Sequence, residues 1–170
     1  INLFLLFILF MELKRVVVTG LGMVTPLGND VATTWENLLA SKSGAGTITH
    51  FDASKFKTQF ACEVKDLDVS SLFDPKELRR YDRYVHLAIH SAEQAIQDAG
   101  IQMENEDPLR CGVIYGSGMG GVHTLDVNIG AYATGDGTPR YSPFYIPMVI
   151  TNMACGMIGL RYGFRGVNYA

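Results

Sequence analysis

The stretch PRYSPFYIPMVITNMACGMIGLRYGFRGVNYA, residues 139–170, decides the fold of this chain. Its segment from Ile146 to Tyr162 has helical length, little charge and apolar residues on every side, which predicts a single helix buried in the core. Pro147 suits the first turn of such a helix, and Gly163 suits the position just beyond its end. After that helix, Asn168 begins what the pattern predicts to be a new strand.

Small residues make one side of this predicted helix nearly bare. Ala154, Gly156 and Gly159 occupy that side. Small side chains allow another backbone to approach closely. The sequence therefore predicts a helix that packs tightly against a neighbouring element.

Composition narrows the possible functions. The chain has 170 residues, of which 48% are hydrophobic and 18% charged, with a net charge of −3. Basic residues do not cluster, which argues against nucleic acid as the main ligand. The three cysteines, Cys62, Cys111 and Cys155, are widely spaced among apolar neighbours. We therefore expect free thiols in a reducing cytoplasm and no zinc site.

The first ten residues, INLFLLFILF, are interpreted separately from the domain. They are too short to span a bilayer, which takes roughly 20 apolar residues. They also lack the basic start and cleavage site of a signal peptide. We expect residues 1–10 to be a non-native leader and the domain to occupy residues 11–170. The alternative is the end of a membrane anchor on a tethered scaffold.

Strand and helix patterns alternate along the remainder. Short apolar or β-branched runs predict strands at residues 15–19, 59–64 and 111–115. Between and after these strands, helical spacing predicts a helix capped by Asn29 or Asp30, another ending at Gly100 and a third at residues 122–132. This order predicts an α/β fold with a largely parallel central sheet covered by helices.

The helix that ends at Gly100 has two predicted starting points. Asp74, followed by a proline and by Glu77, has the pattern of a capping box. The helix therefore begins at Asp74, or a short helix breaks near Asp82 into a longer one. Both alternatives stay open at this stage.

Several residues that suggest a ligand are better explained by packing or exposure. Trp35 and Cys62 are expected in the core, and His50 on the surface. His86 and His90 lie four apart on a predicted helix but lack a third metal ligand, so a solvated helix face is expected.

Neither glycine-rich turn fits a nucleotide site. The turn at 20–28 lacks the third glycine of a dinucleotide fingerprint, and the turn at 116–121 lacks the Lys-Ser/Thr of a P-loop. The glycines of both turns are better explained by close approach of another backbone than by nucleotide binding.

Taken together, the motifs resemble the N-terminal part of a β-ketoacyl-ACP synthase, most closely of the synthase II type, among the thiolase-fold condensing enzymes. The resemblance covers residues 11–170 and rests on VVVTGLGMVTPLG at 16–28, FDASKFKTQFACEVKDLD at 51–68, GSGMGG at 116–121 and the segment at 142–170.

This resemblance implies a thiolase-like layered fold and fatty acid elongation by decarboxylating Claisen condensation. Acyl carrier protein loaded with acyl or malonyl groups would be the partner, in a cytoplasmic homodimer that uses no cofactor, metal, nucleic acid or membrane. The family's nucleophilic cysteine would follow shortly after Ala170, and its two histidines and lysine much later. We therefore expect the 170-residue chain to lack a catalytic residue and condensing activity, and to associate through exposed apolar surface.

The resemblance also implies three residues of an acyl-chain pocket. Met119 corresponds to a residue that flanks the pocket beside the cysteine, and Phe144 and Tyr145 to a pair that lines it from the partner subunit. Ordinary core packing is the competing explanation for all three. Cys155 corresponds to a small residue inside a helix, so packing is expected there too.

Two relatives of the same fold stay open as alternatives for the whole protein. One is a polyketide-type ketosynthase. The other is a non-catalytic partner subunit of the chain-length-factor kind, which would share this half of the fold without the cysteine.

Overall fold

The computed structural model describes residues 14–170, and the predicted leader at 1–10 lies outside them. The α-helices are α1 (Val31–Leu39), α2 (Arg83–Ala99), α3 (Val122–Thr134), α4 (Tyr145–Val149) and α5 (Met153–Tyr162). The strands are β1 (Gly46–Thr47), β2 (Phe60–Ala61), β3 (Val113–Ile114) and β4 (Asn168–Tyr169). Short 3₁₀ turns occur at Met103–Asn105 and Pro108–Arg110. Within this described part, no helix has both the length and the apolar character needed to cross a membrane.

The core forms where α2 packs against α5. Val85, Ala88 and Ile89 on α2 are buried against Ala154 and Ile158 on α5. Ala88 on α2 and Ala154 on α5 are small and buried, which allows the close approach predicted for Ala154. The same prediction was wrong for Gly156, which is exposed and where an added Cβ would meet nothing within 4 Å. A hydrogen bond from the Tyr162 hydroxyl to the Glu93 carboxylate joins the same two helices at the edge of the core.

Two strands pair in parallel beside this helix pair. Val113 of β3 lies opposite Asn168 of β4, and Ile114 lies opposite Tyr169. The chain between them passes through α3, α4 and α5, so this part is a parallel strand pair with a helical crossover. The predicted α/β class and the predicted strand after α5 are both confirmed. The strands themselves are short, and β1 and β2 pair separately and antiparallel.

The predicted strand at residues 15–19 was wrong. Val16 is 89% exposed, and residues 15–19 belong to none of the strands found within residues 14–170. The chain that follows is held to α2 by side chains instead. Leu21 N–H donates to Asp98 at 2.9 Å, and Met23 N–H donates to Gln94 at 3.2 Å. A strand needs a backbone partner, and side-chain acceptors do not provide a ladder.

Two expectations for core residues were also wrong. Trp35 is 57% exposed, and Cys62 is exposed. On α1 the buried residue is Thr34, whose hydroxyl donates to the Gly28 carbonyl at 3.1 Å. The helix therefore faces the preceding turn through a polar contact of Thr34, while Trp35, Leu38 and Leu39 of its predicted apolar face are exposed. Cys62 follows directly after β2, which covers only two of the residues predicted at 59–64.

Of the two predicted starts for α2, the later one is confirmed. The capping box at Asp74 does form, because Asp74 accepts from the N–H of Lys76 and of Glu77 while the Glu77 carboxylate accepts from Asp74 N–H. The residues after it nevertheless form turns, and α2 begins at Arg83 with Asp82 as its N-cap.

The predicted single helix at 146–162 was wrong, because two helices occupy it. Ile150 is extended, with ψ of 136°, and separates α4 from α5. Outside groups bind the carbonyls freed at this break: the Tyr84 hydroxyl donates to Ile150 O, and Gly121 N–H donates to Val149 O at 3.1 Å. These contacts replace helical hydrogen bonds. The predicted end of the second helix is confirmed, since Gly163 has φ of +72°.

The Tyr84 hydroxyl predicts a pH dependence of stability. Burial, with the charge of Asp82 second, raises the pKa of Tyr84 from 10.0 to about 12. The folded protein thus holds this proton more tightly than the unfolded chain, so its contribution is complete below pH 10 and is lost between pH 10 and 12. We expect Tyr84→Phe to reduce the fall in the free energy of unfolding across that range, measured by urea titration. Equal falls for both proteins would contradict the assignment.

Candidate functional site

The glycine turn at 116–121 lies against the end of α4. Gly121 sits so close to the Met148 carbonyl oxygen that a Cβ there would be 1.9 Å away. The neighbouring Gly120 has φ of +65°, and its N–H donates to the Ser117 hydroxyl at 3.0 Å. Close backbone approach, which the glycine spacing predicts, is confirmed at this position. The turn and α4 therefore form adjoining walls.

Asp82 holds the helix that follows the glycine turn. Its carboxylate accepts from the N–H of Thr124 at 3.0 Å and from the Thr124 hydroxyl at 2.6 Å. Asp82 is only 7% exposed, and Thr124 is buried as well. Since Gly121, the N-cap of α3, has no side chain, the Asp82 carboxylate caps α3 from another helix.

The predicted pocket residues lie on these two walls. Met119 belongs to the glycine turn and is 75% exposed. Phe144 immediately precedes α4, with the Arg80 guanidinium 5.1 Å from its ring centre. Tyr145, the first residue of α4, is half-buried, and its ring lies 5.0 Å from that of Tyr141. The contact of Gly121 with α4 brings the two walls together, and the role of these three side chains stays a prediction.

A cavity of about 820 Å³ lies along the first half of α3. Its lining consists of His50, Phe51, Arg83, Val122, His123, Asp126 and Val127. None of the three predicted pocket residues is among them. The site of the sequence prediction, on the glycine turn and α4, and this cavity, beside α3, are therefore separate features.

The histidines do not assemble a metal site. His50 is exposed as expected, with its Nε2 3.9 Å from Glu63. The solvated face expected for His86 was wrong, because its ring packs edge-on against Phe73 at 4.9 Å and its Nε2 is buried without a hydrogen bond. Burial lowers the pKa of His86 below its ordinary value. His90 instead pairs with Gln94 at 2.9 Å. Residues 14–170 contain no group of histidine, cysteine and carboxylate ligands suited to a metal ion.

The cysteines differ sharply in their surroundings. Cys155 is fully buried in the core between α5 and β3, with its sulfur 4.0 Å from the Tyr115 carbonyl oxygen. The packing role expected for it is confirmed. Cys111 is partly buried, and Cys62 is exposed. A nucleophilic thiol has to reach its substrate, and the position of Cys155 does not allow that.

These surroundings predict an order of thiol modification. In the native protein iodoacetamide should label Cys62 within minutes, while Cys155 should stay unlabelled until denaturant unfolds the core. Peptide mass spectrometry over time measures both rates, and Cys62 provides the internal control. Labelling of native Cys155 as fast as Cys62 would show that its thiol is accessible.

The sequence did not reveal two residues that organise this site. Asp82 was recognised only as a possible helix break, and Tyr84 not at all. Their partners, Thr124 and Ile150, lie 42 and 66 positions further along the chain. The sequence does contain one local signal, an acidic N-cap at Asp82 followed two positions later by the aromatic Tyr84. The partners of these two residues, however, depend on the tertiary fold.

Comparison with known proteins agrees with this architecture. Residues 13–170 match the model of the β-ketoacyl synthase N-terminal domain. The 3-oxoacyl-[acyl-carrier-protein] synthase 2 of Coxiella burnetii (strain RSA 493 / Nine Mile phase I) is 47% identical over 158 residues. The match covers 93% of this chain and 38% of that relative, so the chain spans well under half of its length.

Solved structures of ketosynthases share the fold. The ishigamide ketosynthase/chain length factor superposes with a TM-score of 0.82 at 25% identity, covering 92% of this chain and 39% of that one. A type II polyketide ketosynthase solved with its acyl carrier protein, AntDE:AntF, gives a TM-score of 0.69 at 22% identity, covering 89% and 40% of the two chains. The thiolase-like α/β fold expected from the sequence is confirmed, and the chain belongs to the β-ketoacyl synthase family, with residues 13–170 matching its N-terminal domain.

Proposed function

We propose that this chain forms the N-terminal part of a 3-oxoacyl-[acyl-carrier-protein] synthase that elongates fatty acids. The observation that carries the proposal is the 47% identity to a synthase 2 over 93% of the chain. The parallel β3–β4 pair with its helical crossover, and the contact of the glycine turn with α4, support it because this unit contains two of the four motifs, at 116–121 and 142–170.

The proposed reaction joins two thioesters. An acyl group moves from acyl carrier protein to a cysteine thiolate, and the carrier leaves with a free thiol. Malonyl-ACP then loses CO₂, and the resulting carbanion attacks the enzyme-bound thioester. This step forms the new carbon–carbon bond, releases 3-oxoacyl-ACP and restores the thiolate.

We propose that residues 14–170 supply the acyl-binding walls and that the nucleophile and its histidines come from elsewhere in the whole protein. The full burial of Cys155 supports this division, because its thiol is out of reach of a substrate. We expect no transfer of a labelled acyl group from acyl-ACP to the 170-residue chain alone. Stoichiometric labelling would overturn this part of the proposal.

Met119, Phe144 and Tyr145 are proposed to contact the growing acyl chain. Support comes from their apolar surfaces and from their positions on two walls that touch through Gly121 and α4. The flexible thioether of Met119 suits chains of different length. We propose that a partner subunit completes the pocket.

Acyl carrier protein is the proposed partner, within a cytoplasmic homodimer. The name of the Coxiella relative and the carrier protein bound in the AntDE:AntF structure support the first assignment. Exposed apolar side chains, including Ile114, Leu160 and Tyr169, support an assembly that covers them. The three free cysteines suit a reducing compartment. Analytical ultracentrifugation of the whole protein tests the homodimer, and sedimentation at the mass of a monomer would contradict it.

One assay separates this function from its alternatives. The whole protein is incubated with hexanoyl-ACP and malonyl-ACP, and the products are identified by mass spectrometry. A fatty acid synthase component gives 3-oxooctanoyl-ACP and CO₂ in equal amounts, whereas a polyketide ketosynthase gives chains with repeated keto groups. If no product forms unless a second ketosynthase is added, the protein is the third candidate, a non-catalytic partner subunit. The fold shared with the ishigamide ketosynthase/chain length factor is the observation that keeps this candidate in the test.

A further inference from the structure

We propose that the first turn of α2 fixes the spacing between the two walls of the acyl pocket, with Asp82 holding the wall that carries Met119 and Tyr84 holding the wall that begins at Phe144. This inference rests on the function proposed above for the same site. Asp82 and Tyr84 are positioning residues, because they act through Thr124 and Ile150 and not on the acyl chain.

Asp82 caps two helices with one carboxylate. Its Oδ1 accepts from Tyr84 N–H at 3.4 Å, at the start of α2, and its Oδ2 accepts both donors of Thr124, at the start of α3. Thr124 is the third residue of α3, so its N–H has no partner within that helix. In a buried setting these charge-assisted hydrogen bonds are strong, and their loss leaves polar groups unsatisfied. The glycine turn directly precedes α3 and is held with it.

Tyr84 fixes the second wall. Its hydroxyl donates to the carbonyl oxygen of Ile150, the residue directly after α4. Because the chain is extended at Ile150, this carbonyl has left the α-helical pattern, and besides the Tyr84 hydroxyl it accepts only a long hydrogen bond of 3.4 Å from Met153 N–H among the described residues. The hydrogen bond therefore determines where α4 stops and how it lies relative to α2.

A third contact joins the glycine turn directly to α4. Gly121 N–H, in the glycine turn, donates to Val149 O at the end of α4. The two walls thus touch each other and are each bonded to α2. Val85, between Asp82 and Ile89 on the same helix, is fully buried in the core, so this turn of α2 cannot shift independently. The spacing of the walls follows from these contacts together.

The test uses two variants of the whole protein. Thr124→Val removes the hydroxyl that donates to Asp82 and keeps the backbone N–H, and Tyr84→Phe removes the hydroxyl that donates to Ile150 O. Amide hydrogen exchange at residues 118–124 and 146–152 reports the two walls, and the ratio of kcat/KM for decanoyl-ACP to that for hexanoyl-ACP reports the pocket. We expect exchange about tenfold faster at the corresponding wall and a changed ratio. Thr124→Ser should restore both, because it keeps the hydroxyl.

The matched control is Thr134→Val at the other end of α3, where the hydroxyl bonds to Gly130 O at 2.9 Å and is exposed. Exchange in the Thr124 and Tyr84 variants equal to that in the control would overturn the inference. So would faster exchange with an unchanged kcat/KM ratio. If the unaltered protein forms no 3-oxoacyl-ACP, the proposed function fails before any variant is compared, and amide exchange alone still decides whether α2 holds the walls.

Discussion

Gly121→Ala is expected to lower the free energy of unfolding by about 3 kcal/mol or more. A Cβ at this position would lie 1.9 Å from the Met148 carbonyl oxygen and 2.8 Å from its carbonyl carbon. Both are backbone atoms, so no side-chain rotation relieves the collision, and the glycine turn has to separate from α4. Urea titration followed by circular dichroism measures the loss.

Gly118→Ala is the matched control, because it lies in the same turn and an added Cβ meets nothing within 4 Å. We expect this variant to change stability by less than about 1 kcal/mol. Equal stability of the two variants would show that the glycine turn does not press on α4 as described, and would contradict the proposal that the two form adjoining walls of a pocket.

Ile89→Ala is expected to cost about 3 to 4 kcal/mol. Ile89 is 1% exposed and lies in the core formed by α2 and α5. Removing its side chain loses the burial of apolar surface and leaves a cavity that the helices cannot fill without moving. The same urea titration measures the change.

Ile129→Ala on α3 makes the same chemical change at a residue that is 51% exposed. It should cost less than about 1 kcal/mol, because water already reaches the side chain. A similar loss in the two variants would mean that the α2–α5 contact is not the centre of the core.

Local features of this fold could be predicted because the physics behind them is local. Gly163 ends α5 with a positive φ that other residues rarely adopt, and the Asp74 capping box forms from residues within four positions of one another. The packing of Cys155, in contrast, was inferred from the family resemblance, which implies a small residue inside a helix at that position. The thiolase-like fold itself was inferred from the family motifs.

The errors occurred where distant residues decide the local structure. The apolar run from Ile146 to Tyr162 looks like one helix, but the Tyr84 hydroxyl and Gly121 N–H take the carbonyls at its middle. Val16 lies in a β-branched run without a ladder partner in the described structure, and Trp35 sits on the face of α1 that the turn at Gly28 leaves exposed. Rules based on the spacing of residues along the chain cannot predict these contacts, because the partners are distant in sequence.

For the proposed acyl pocket, the sequence could predict candidate residues but not their arrangement in space. The positions of Met119, Phe144 and Tyr145 came from the family resemblance, whereas the contacts that hold their walls are made by Asp82 and Tyr84 across 42 and 66 residues. Thr124, the partner of Asp82, reads in the sequence as an ordinary helical residue. Such paired polar contacts need coordinates to be seen.

The most direct test of the account uses a hybrid synthase. Residues 14–170 replace the matching segment of the Coxiella burnetii synthase 2, to which they are 47% identical, and the unaltered Coxiella enzyme is the control. Circular dichroism first establishes that the hybrid folds, and mass spectrometry then follows 3-oxoacyl-ACP formed from hexanoyl-ACP and malonyl-ACP. We expect product at a rate within about tenfold of the control, a difference of about 1.4 kcal/mol in activation free energy. A folded hybrid that forms no 3-oxoacyl-ACP would contradict the claim that these residues are the working N-terminal part of a condensing enzyme.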